Sequence, residues 1–350
     1  MTEPHFVVDI EPTNRCNAKC HFCPRDATPH QGLMSMDVYE HALQRAAELR
    51  QMFHVNVNLC GLGEPLLNKA APEMVRRARE EGFGCGMSSN ASLLNEQKGR
   101  ALIDAGLQRI FINVGDIDDD YEEVYRLPFE KTRDNVLRFA AMADGNCEVN
   151  IVLVDYRQDR NHVEAMRAYW EGFGLERFME FEIMNRGGAL FVDHMQYSQY
   201  PERAEAIETL LARTDGSAVC SVPFTSCFIG YDGNYYLCCS DWKKEAPVGS
   251  VIDSSPWDVM EPKLVHVLSG EPVCKTCNLD LINRMTDMLR DVNAGLASTE
   301  DRDQLVEALA TSSNDIVEGL NKLHPGISAR AAATVREQQK SKKLIPITST

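Results

Sequence analysis

The chain lacks long apolar segments and is poor in positive charge. No run of about 18 apolar residues occurs among its 350 residues, so it contains no candidate membrane-spanning helix. Its 36 Lys and Arg residues stand against 52 Asp and Glu residues, which gives a formal net charge of -16. This negative charge argues against nucleic acid or an anionic membrane surface as the main partner. We therefore expect neither nucleic acid nor a membrane among its partners.

The N-terminus also lacks the features of a secretion signal. Met1–His5 has neither the basic region nor the apolar region of a signal peptide, and the chain shows no internal repeat. We therefore expect a cytoplasmic protein. Twelve cysteines are present, and in a reducing compartment they indicate metal or redox chemistry more than disulfides.

Three of these cysteines form a C-x3-C-x2-C cluster near the start of the chain, at Cys16, Cys20 and Cys23. Three thiolates on one tight loop can hold three irons of a [4Fe–4S] cluster and leave the fourth iron open to a small molecule. A structural zinc site normally needs four protein ligands, usually from paired C-x2-C units. The spacing favours an iron–sulfur cluster, with zinc or no metal as the alternatives.

This spacing, with aromatic Phe22 before the last cysteine, resembles the radical S-adenosylmethionine (SAM) superfamily. In that family the open iron binds SAM, and reductive cleavage of SAM gives a 5′-deoxyadenosyl radical that abstracts hydrogen from substrate. The resemblance implies a cluster held by Cys16, Cys20 and Cys23, with Phe22 beside the adenine. It also implies an electron donor such as flavodoxin or ferredoxin.

Short β-branched runs alternate with helical patterns through the first half of the chain, which predicts an α/β fold with a parallel sheet. The predicted strands are Phe6–Ile10, Val55–Leu59, Gly82–Ser88, Arg109–Val114, Glu148–Val154 and Met179–Met184. The predicted helices are Met36–Arg50, Lys69–Glu81, Leu94–Ala105, Lys131–Ala143 and Asn161–Gly172. Six units match the partial (βα)6 barrel that the resemblance implies. Working residues of such barrels gather at the C-terminal ends of the strands.

Three segments at predicted strand ends resemble the SAM-contacting motifs of the family. They are Gly61–Pro65, Ser88–Asn90 and Asn113–Asp116. Glycine lets the backbone approach a ligand closely, and a carboxylate suits the ammonium group of SAM. Ordinary turns are the alternative, because Ser, Asn, Gly and Asp are common turn residues. The resemblance assigns SAM contacts to Phe22, Gly63, Glu64, Ser88, Asn90 and Asn113.

Four further cysteines follow the predicted barrel. Asp232-Gly233-Asn234 predicts a tight β-hairpin between Cys220 and Cys238, and a C-x2-C pair lies at Cys274 and Cys277. The pattern resembles the SPASM/twitch subfamily, in which these four positions ligate an auxiliary [4Fe–4S] cluster, although four thiolates can also hold zinc. No cysteine follows Cys277, which favours the twitch version with one auxiliary cluster. We predict a barrel over 1–190, an auxiliary-cluster domain over 191–280 and a C-terminal helical extension over 281–350.

Other residues are candidates for the chemistry itself. Cys227 or Cys239 would return a hydrogen atom to the substrate in an epimerase. Asp241 is a candidate base for a substrate alcohol, with a turn cap as the alternative. Arg186 is a candidate clamp on a substrate hydroxyl or the SAM carboxylate, with a surface arginine as the alternative. Cys60, Cys85 and Cys147 are interpreted as small buried side chains.

We expect no leader-peptide domain, because the first predicted strand begins at Phe6. The resemblance therefore favours twitch enzymes that act on a small polyhydroxylated molecule (a sugar, aminocyclitol or nucleoside) by oxidation or epimerisation, as in antibiotic biosynthesis. The alternatives are decarboxylation or carbon–carbon bond formation on a sugar nucleoside, and peptide modification with a separate leader-binding partner. A non-enzymatic iron–sulfur or zinc scaffold, or a redox sensor, is a further alternative.

Overall fold

The computed structural model describes residues 5–190, 197–214, 217–270 and 272–343. The chain divides into two compact units. The first comprises residues 1–183, 226–244 and 249–256, and the second comprises 184–225, 245–248 and 257–350.

The described residues form strands and helices that alternate through the first half of the chain, followed mainly by helices. The strands are β1 His5–Ile10, β2 His54–Leu59, β3 Gly84–Ser89, β4 Arg109–Asn113, β5 Glu148–Asp155, β6 Phe178–Glu182, β7 Ser226–Ile229, β8 Asn234–Tyr236 and β9 Pro247–Ser250. The helices are α1 Met36–Glu48, α2 Ala71–Glu80, α3 Glu96–Asp104, α4 Asp118–Tyr125, α5 Phe129–Ala143, α6 Arg160–Glu171, α7 Glu202–Leu211, α8 Val222–Thr225, α9 Met260–Ser269, α10 Leu281–Asn293, α11 Thr299–Leu323 and α12 Ile327–Lys343.

The strands of the first unit form a mostly parallel sheet. Strands β1 to β6 are parallel and each lies beside its predecessor, so the sheet runs β6-β5-β4-β3-β2-β1-β7-β8-β9. Strand β7 is parallel to β1, and β8 pairs antiparallel with β7. The predicted six-unit α/β fold and the predicted hairpin, whose Gly233 has a φ of +80°, are both confirmed.

The two faces of this sheet differ in chemistry because successive side chains of a strand point to opposite sides. One side, the helix face, carries apolar residues such as Val8, Val57 and Ile151, which are buried, and α1, α2 and α6 pack on its strands. The other side, the inner face, is polar. It carries Asp9, Asn56, Asn58, Gly84, Gly86, Ser88, Arg109, Phe111, Asn113 and Asn150.

Helix α4 is absent from the sequence-based prediction. It begins with three aspartates from Asp118, which stabilise a helix N-terminus through the helix dipole but read as a loop in sequence. Tyr121, Val124 and Tyr125 are buried on one side of it. Their i, i+3, i+4 spacing is the signal that could have revealed the helix.

The second unit is mainly helical. Helix α10 packs on α7 and helix α12 packs on α9. Leu210, Met285 and Leu309 belong to an apolar core shared by α7, α10 and α11. The predicted C-terminal helices are confirmed, and Ser298 and Asp301 form a capping box at the start of α11.

Candidate active site

The first cysteine cluster lies on the loop that follows β1. Cys16, Cys20 and Cys23 are all half-buried. The Cys23 N–H donates to the Cys20 carbonyl at 3.1 Å, and Arg25 Nη1 donates to the Cys16 carbonyl at 2.7 Å. The loop is therefore held by its own hydrogen bonds at the C-terminal edge of the sheet, where residues of such barrels act.

The thiols of this loop affect one another electrostatically. Burial raises the pKa of Cys16 and of Cys20, and negative charge on Cys23 and Cys16 raises the pKa of Cys20 further. Iron ligation would relieve this conflict, because bound cations stabilise thiolates. Two donors already point at Cys16 Sγ, the Ala18 N–H at 3.4 Å and Asn90 Nδ2 at 3.8 Å. The loop therefore fits an iron–sulfur cluster.

Phe22 belongs to an aromatic cluster beside this loop. Its ring stacks on Tyr156 with centroids 4.9 Å apart and meets Tyr125 edge-on at 5.7 Å. The Tyr125 carbonyl accepts a hydrogen bond from the Lys19 N–H at 3.0 Å. Sequence reasoning identified Phe22 but missed Tyr156. The signal for Tyr156 was its position directly after β5, at the same edge of the sheet.

Gly63 lies against the backbone of the cysteine loop. A Cβ at this position would lie 2.4 Å from the carbonyl oxygens of Thr13 and Arg15, so only glycine fits without a backbone shift. The Glu64 N–H donates to the Arg15 carbonyl at 2.8 Å. The glycine motif after β2 therefore fixes the cysteine loop through backbone contacts.

The Glu64 carboxylate is buried and is satisfied by protein donors. It accepts hydrogen bonds from Leu66 N–H at 3.1 Å, Ser89 Oγ at 2.9 Å and Asn90 N–H at 2.8 Å. Burial raises the pKa of Glu64, although these hydrogen bonds act in the opposite direction. Glu64 thereby joins the end of β2 to the end of β3. Its predicted direct contact with SAM stays a prediction.

Asn90 connects the end of β3 to the cysteine loop. Its Nδ2 donates to Asn17 Oδ1 at 3.1 Å, and its Oδ1 accepts from Ser92 Oγ at 2.7 Å. Ser88 lies two residues earlier, half-buried on the inner face. The structure therefore places both predicted SAM-contact residues of this segment at the edge that carries the cysteine loop.

The segment after β4 carries a buried carboxylate. Asp116 pairs with Arg157 Nη2 at 2.7 Å, accepts from Tyr156 Oη at 3.1 Å and lies 3.1 Å from His162 Nε2. Burial raises the pKa of Asp116, and Arg157 and His162 oppose that shift. Asn113, the predicted contact, ends β4 and is half-buried. Sequence reasoning missed Arg157 and His162 as partners because they follow a different strand.

Three of the four later cysteines lie in the second unit, and all three are buried. Cys220 Sγ lies 3.7 Å from the Leu279 carbonyl. Burial is the main reason that the pKa of Cys220 is raised to about 12, and charge on Cys277 also raises it. The Cys277 N–H donates to the Cys274 carbonyl at 3.2 Å. The Leu279 N–H donates to Cys277 Sγ at 3.4 Å, and such a hydrogen bond would stabilise a thiolate at this position.

Asn283 on α10 holds the C-x2-C loop of the second unit. It is fully buried, and its Nδ2 donates to the Cys274 carbonyl at 3.0 Å and to the Cys277 carbonyl at 2.8 Å. Asp280 caps the same helix through the N–H groups of Ile282 and Asn283. Sequence reasoning missed Asn283, and nothing in its local spacing marks it.

Cys238 lies in the first unit, two residues after the end of β8, and is buried. The next residues form a turn in which the Asp241 N–H donates to the Cys238 carbonyl at 3.2 Å. Asp241 is buried, whereas Cys239 is half-buried. Ser240 Oγ is buried and has no hydrogen-bond partner within the described residues. A sulfide or thiolate beside Cys238 would be a suitable acceptor for this hydroxyl.

The other candidates fall in different surroundings. Cys227 pairs with Val8 in the sheet and is fully buried on the helix face. Arg186 is half-buried, in a short turn of the second unit. Its neighbour Asn185 exchanges backbone–side-chain hydrogen bonds of 3.0 and 3.1 Å with Asn278. Cys85 and Cys147 are buried as predicted, but Cys60 is half-buried and hydrogen-bonded to Asp9.

Among the described residues, no three His, Cys, Asp or Glu side chains converge as a site for a single metal ion. In a [4Fe–4S] cluster each thiolate binds a different iron. No helix in the described ranges is long and apolar enough to cross a membrane.

Comparisons with known proteins agree with this geometry. The Radical SAM superfamily profile matches residues 10–168, and the profile of the SPASM iron–sulfur cluster-binding domain matches residues 220–278. A GTP 3′,8-cyclase of Limosilactobacillus fermentum is 26% identical over 51% of this chain and 54% of its own length. A PqqA peptide cyclase of Xanthomonas campestris is 28% identical over 60% of this chain and 54% of its own length. The chain thus spans about half the length of these two relatives.

Among solved structures, Streptococcus suis SuiB bound to the precursor peptide SuiA matches with a TM-score of 0.59. The match covers 81% of this chain and 73% of SuiB at 13% identity, and it shows a shared fold. The two matched domains imply [4Fe–4S] clusters and SAM as cofactors. The chain therefore carries a Radical SAM domain over residues 10–168 and a SPASM iron–sulfur cluster-binding domain over residues 220–278.

Proposed function

We propose that this enzyme abstracts a hydrogen atom from a small polyhydroxylated substrate, such as a sugar, aminocyclitol or nucleoside, and that oxidation or epimerisation follows. When bound, the first cluster and SAM supply the 5′-deoxyadenosyl radical for that abstraction. We expect the protein in the cytoplasm, with a flavodoxin or ferredoxin as electron donor.

The observation that carries this proposal is the polar inner face of the sheet. Arg109 Nη2 donates to Asn56 Oδ1 at 3.0 Å, and Asn58 Nδ2 lies 3.4 Å from Asp9 Oδ1. Glycine on the neighbouring strand leaves room for these amides, since a Cβ at Gly86 would lie 2.5 Å from Asn58 Oδ1. Amide, guanidinium and carboxylate groups suit a ligand rich in hydroxyl groups, which needs both donors and acceptors.

The cofactors would be held by residues that the sequence already indicates. We assign Cys16, Cys20 and Cys23 to the SAM-binding cluster, and Cys220, Cys238, Cys274 and Cys277 to one auxiliary cluster. Phe22 and Tyr156 offer aromatic surface for the adenine. Gly63, Glu64, Ser88, Asn90 and Asn113 would contact or position the rest of SAM. We retain 1–190, 191–280 and 281–350 as the functional division of the chain.

The candidate catalytic residues keep their proposed roles, and they differ in how accessible the structure leaves them. Asp241 would take the hydroxyl proton in an oxidation, and Arg186 would bind a substrate hydroxyl. Cys239 is half-buried and Cys227 is fully buried, so Cys239 is the more accessible of the two as a hydrogen donor. A thiol that donates to a substrate radical has to reach the substrate carbon directly.

Peptide modification is the second candidate function. It is favoured by the PqqA peptide cyclase relative, although that match spans about half of the relative's length. Carbon–carbon or related bond formation on a nucleotide is favoured in the same way by the GTP 3′,8-cyclase relative. The polar inner face supports a nucleoside as well as a sugar, so bond formation on a nucleoside remains within the same substrate class.

The test is anaerobic reconstitution with iron, sulfide, SAM and dithionite, followed by chromatography for 5′-deoxyadenosine. The enzyme is then incubated with myo-inositol, glucosamine, 2-deoxystreptamine or uridine, each deuterated at its carbinol carbons. We expect deuterium from one of these compounds to appear in 5′-deoxyadenosine. Deuterium transfer from a labelled ribosomal peptide, and from none of the small molecules, would contradict the proposed substrate class.

A further inference from the structure

Cys60 differs from the cysteines on the neighbouring strands because it lies on the inner face. It follows β2 directly, and its N–H donates to the Ile10 carbonyl at 3.1 Å, which continues the pairing of β1 with β2. Alternation along the chain puts Asn56, Asn58 and Cys60 on one side. Cys85 and Cys227 pair with Val57 and Val8, and both are fully buried on the helix face.

The Cys60 thiol is held by a carboxylate and an amide. Its Sγ lies 3.2 Å from Asp9 Oδ1, as a thiol donating to the carboxylate, and 3.7 Å from Asn58 Nδ2. Asn58 Nδ2 also donates to Asp9 Oδ1 at 3.4 Å. Asp9 accepts both of its side-chain hydrogen bonds through Oδ1, and the described residues provide no hydrogen-bond partner for Oδ2. Asp9 is half-buried on the inner face, so Oδ2 remains available to a ligand.

The protonation states also suit a donor. Burial raises the pKa of Cys60, and the charges of Asp9, Cys239 and Glu11 raise it further. The side chain is therefore a thiol at neutral pH, with a hydrogen atom to give. Burial likewise raises the pKa of Asp9 above its ordinary value, against the effect of its hydrogen bonds with Cys60 and Asn58. A carboxyl group with a raised pKa exchanges protons more readily near neutral pH.

We propose that Cys60 is the hydrogen-atom donor to the substrate radical and that Asp9 supplies the proton that restores its thiol. This inference rests on the proposed function and selects epimerisation as the reaction. It replaces Cys227 and Cys239 as donors with a thiol that lies among the polar residues of the inner face.

The substrate first loses a hydrogen atom from a carbinol carbon to the 5′-deoxyadenosyl radical. The Cys60 S–H bond then breaks and a new C–H bond forms on the opposite face of that carbon, which leaves a thiyl radical on Sγ. One electron from a donor of the ferredoxin or flavodoxin class reduces the thiyl radical to a thiolate. The Asp9 carboxylate takes a proton from solvent and passes it to Sγ, which restores the thiol and leaves Asp9 as a carboxylate again.

The first test is turnover of the same compounds, without their deuterium label, in deuterated water. The wild-type product should carry one deuterium from solvent at the carbon that lost its hydrogen. Cys60→Ser keeps a hydrogen-bond donor for Asp9, but its O–H bond is too strong to give hydrogen to a carbon radical. We expect it to release 5′-deoxyadenosine while solvent deuterium in the product falls to the background level. Cys85→Ser, the same change on the helix face of β3, should retain incorporation.

Three outcomes would overturn the proposal. One is an oxidised wild-type product without solvent deuterium. Another is full incorporation by Cys60→Ser. The third is loss of incorporation in Cys239→Ala or Cys227→Ala while Cys60→Ser remains active. If no small molecule supports cleavage of SAM, the proposed function fails, and a substrate-free measurement still decides the Asp9–Cys60 pair.

That measurement is the pH profile of Cys60 alkylation by iodoacetamide in the anaerobic holoenzyme, mapped by peptide mass spectrometry. Asp9→Asn removes the nearest negative charge, so the Cys60 pKa should fall and alkylation at pH 8 should accelerate about threefold to tenfold. Alkylation of Cys239 should change less. An unchanged profile for Cys60 would show that Asp9 does not control this thiol and would overturn the proposal.

Discussion

The two cysteine loops differ in how the protein encloses their thiols. Cys16, Cys20 and Cys23 are half-buried on a loop that is held mainly through its backbone. In the second unit, Cys274 and Cys277 are only 7% and 6% exposed, and a buried asparagine holds the carbonyl groups of their loop. A cluster that binds SAM needs an accessible side, whereas a fully ligated cluster does not.

The difference indicates what each loop is built for. The first loop leaves room for a ligand and is held in shape by Gly63 and Glu64, which follow β2. The second is fixed by Asn283 from inside its own unit, in the manner of a closed structural site. Electron transfer, or shaping of the substrate cavity, suits a cluster with no open iron.

The largest expected effect comes from removing all three thiols of the first cysteine loop. Replacing Cys16, Cys20 and Cys23 together by Ala should abolish 5′-deoxyadenosine formation and leave about half of roughly eight irons per chain. Iron and sulfide analysis with Mössbauer spectroscopy measures what remains. Two results would contradict the assignment of two clusters. One is zinc bound at the auxiliary-cluster cysteines of the purified protein, and the other is the absence of any cluster in the triple variant.

The stability of the Cys274–Cys277 loop should depend on Asn283. Asn283→Ala leaves two buried carbonyl groups without their donor, so we expect the free energy of unfolding to fall by about 3 kcal/mol. Auxiliary iron should fall while the SAM-binding cluster is retained. Denaturant unfolding and iron analysis measure both effects. Asn293→Ala is the control, because Asn293 lies on the same helix and bonds Glu202 at the exposed surface. Equal losses in the two variants would show that Asn283 has no special role.

The sequence predicted the elements of the sheet well because their signals are local. Each predicted strand from Phe6–Ile10 to Met179–Met184 overlaps an observed strand. The cysteine spacings are local in the same sense, and the assignment of these cysteines to two clusters stays a prediction.

What the sequence did not reveal depends on contacts between distant segments. Asn283 reaches the cysteine loop from a helix, Tyr156 meets Phe22 from another strand, and Cys60 meets Asp9 across β1 and β2. Only the register of the sheet brings Asp9 and Cys60 together. Cys60 was therefore interpreted as an ordinary small buried side chain.

A smaller effect should separate the role of Glu64 from that of the cysteines. Glu64→Gln places an amide N–H₂ group where the carboxylate accepts backbone and hydroxyl donors, so the strand ends beside the cysteine loop should shift. We expect SAM affinity to fall about tenfold, which corresponds to ~1.4 kcal/mol, with iron content unchanged. Equilibrium dialysis with labelled SAM measures the affinity. Glu73→Gln on the exposed side of α2 is the control, and wild-type affinity in Glu64→Gln would refute a role for Glu64 in SAM binding.

The smallest effect concerns Asp280, which caps the N-terminus of α10. Burial raises the pKa of Asp280 to about 6, from an ordinary value of 3.8. The folded state therefore binds this proton more tightly than the unfolded state does, so the stabilisation is complete below about pH 4 and is lost as the pH rises through 6. For iron-free protein, we expect the wild type to lose about 1 kcal/mol of unfolding free energy between pH 5 and pH 7 relative to Asp280→Asn. The asparagine retains an acceptor for the helix N–H groups but does not titrate. Denaturant unfolding at both pH values measures the difference, and parallel pH profiles for the two proteins would show that Asp280 is ionised in the folded state throughout this range.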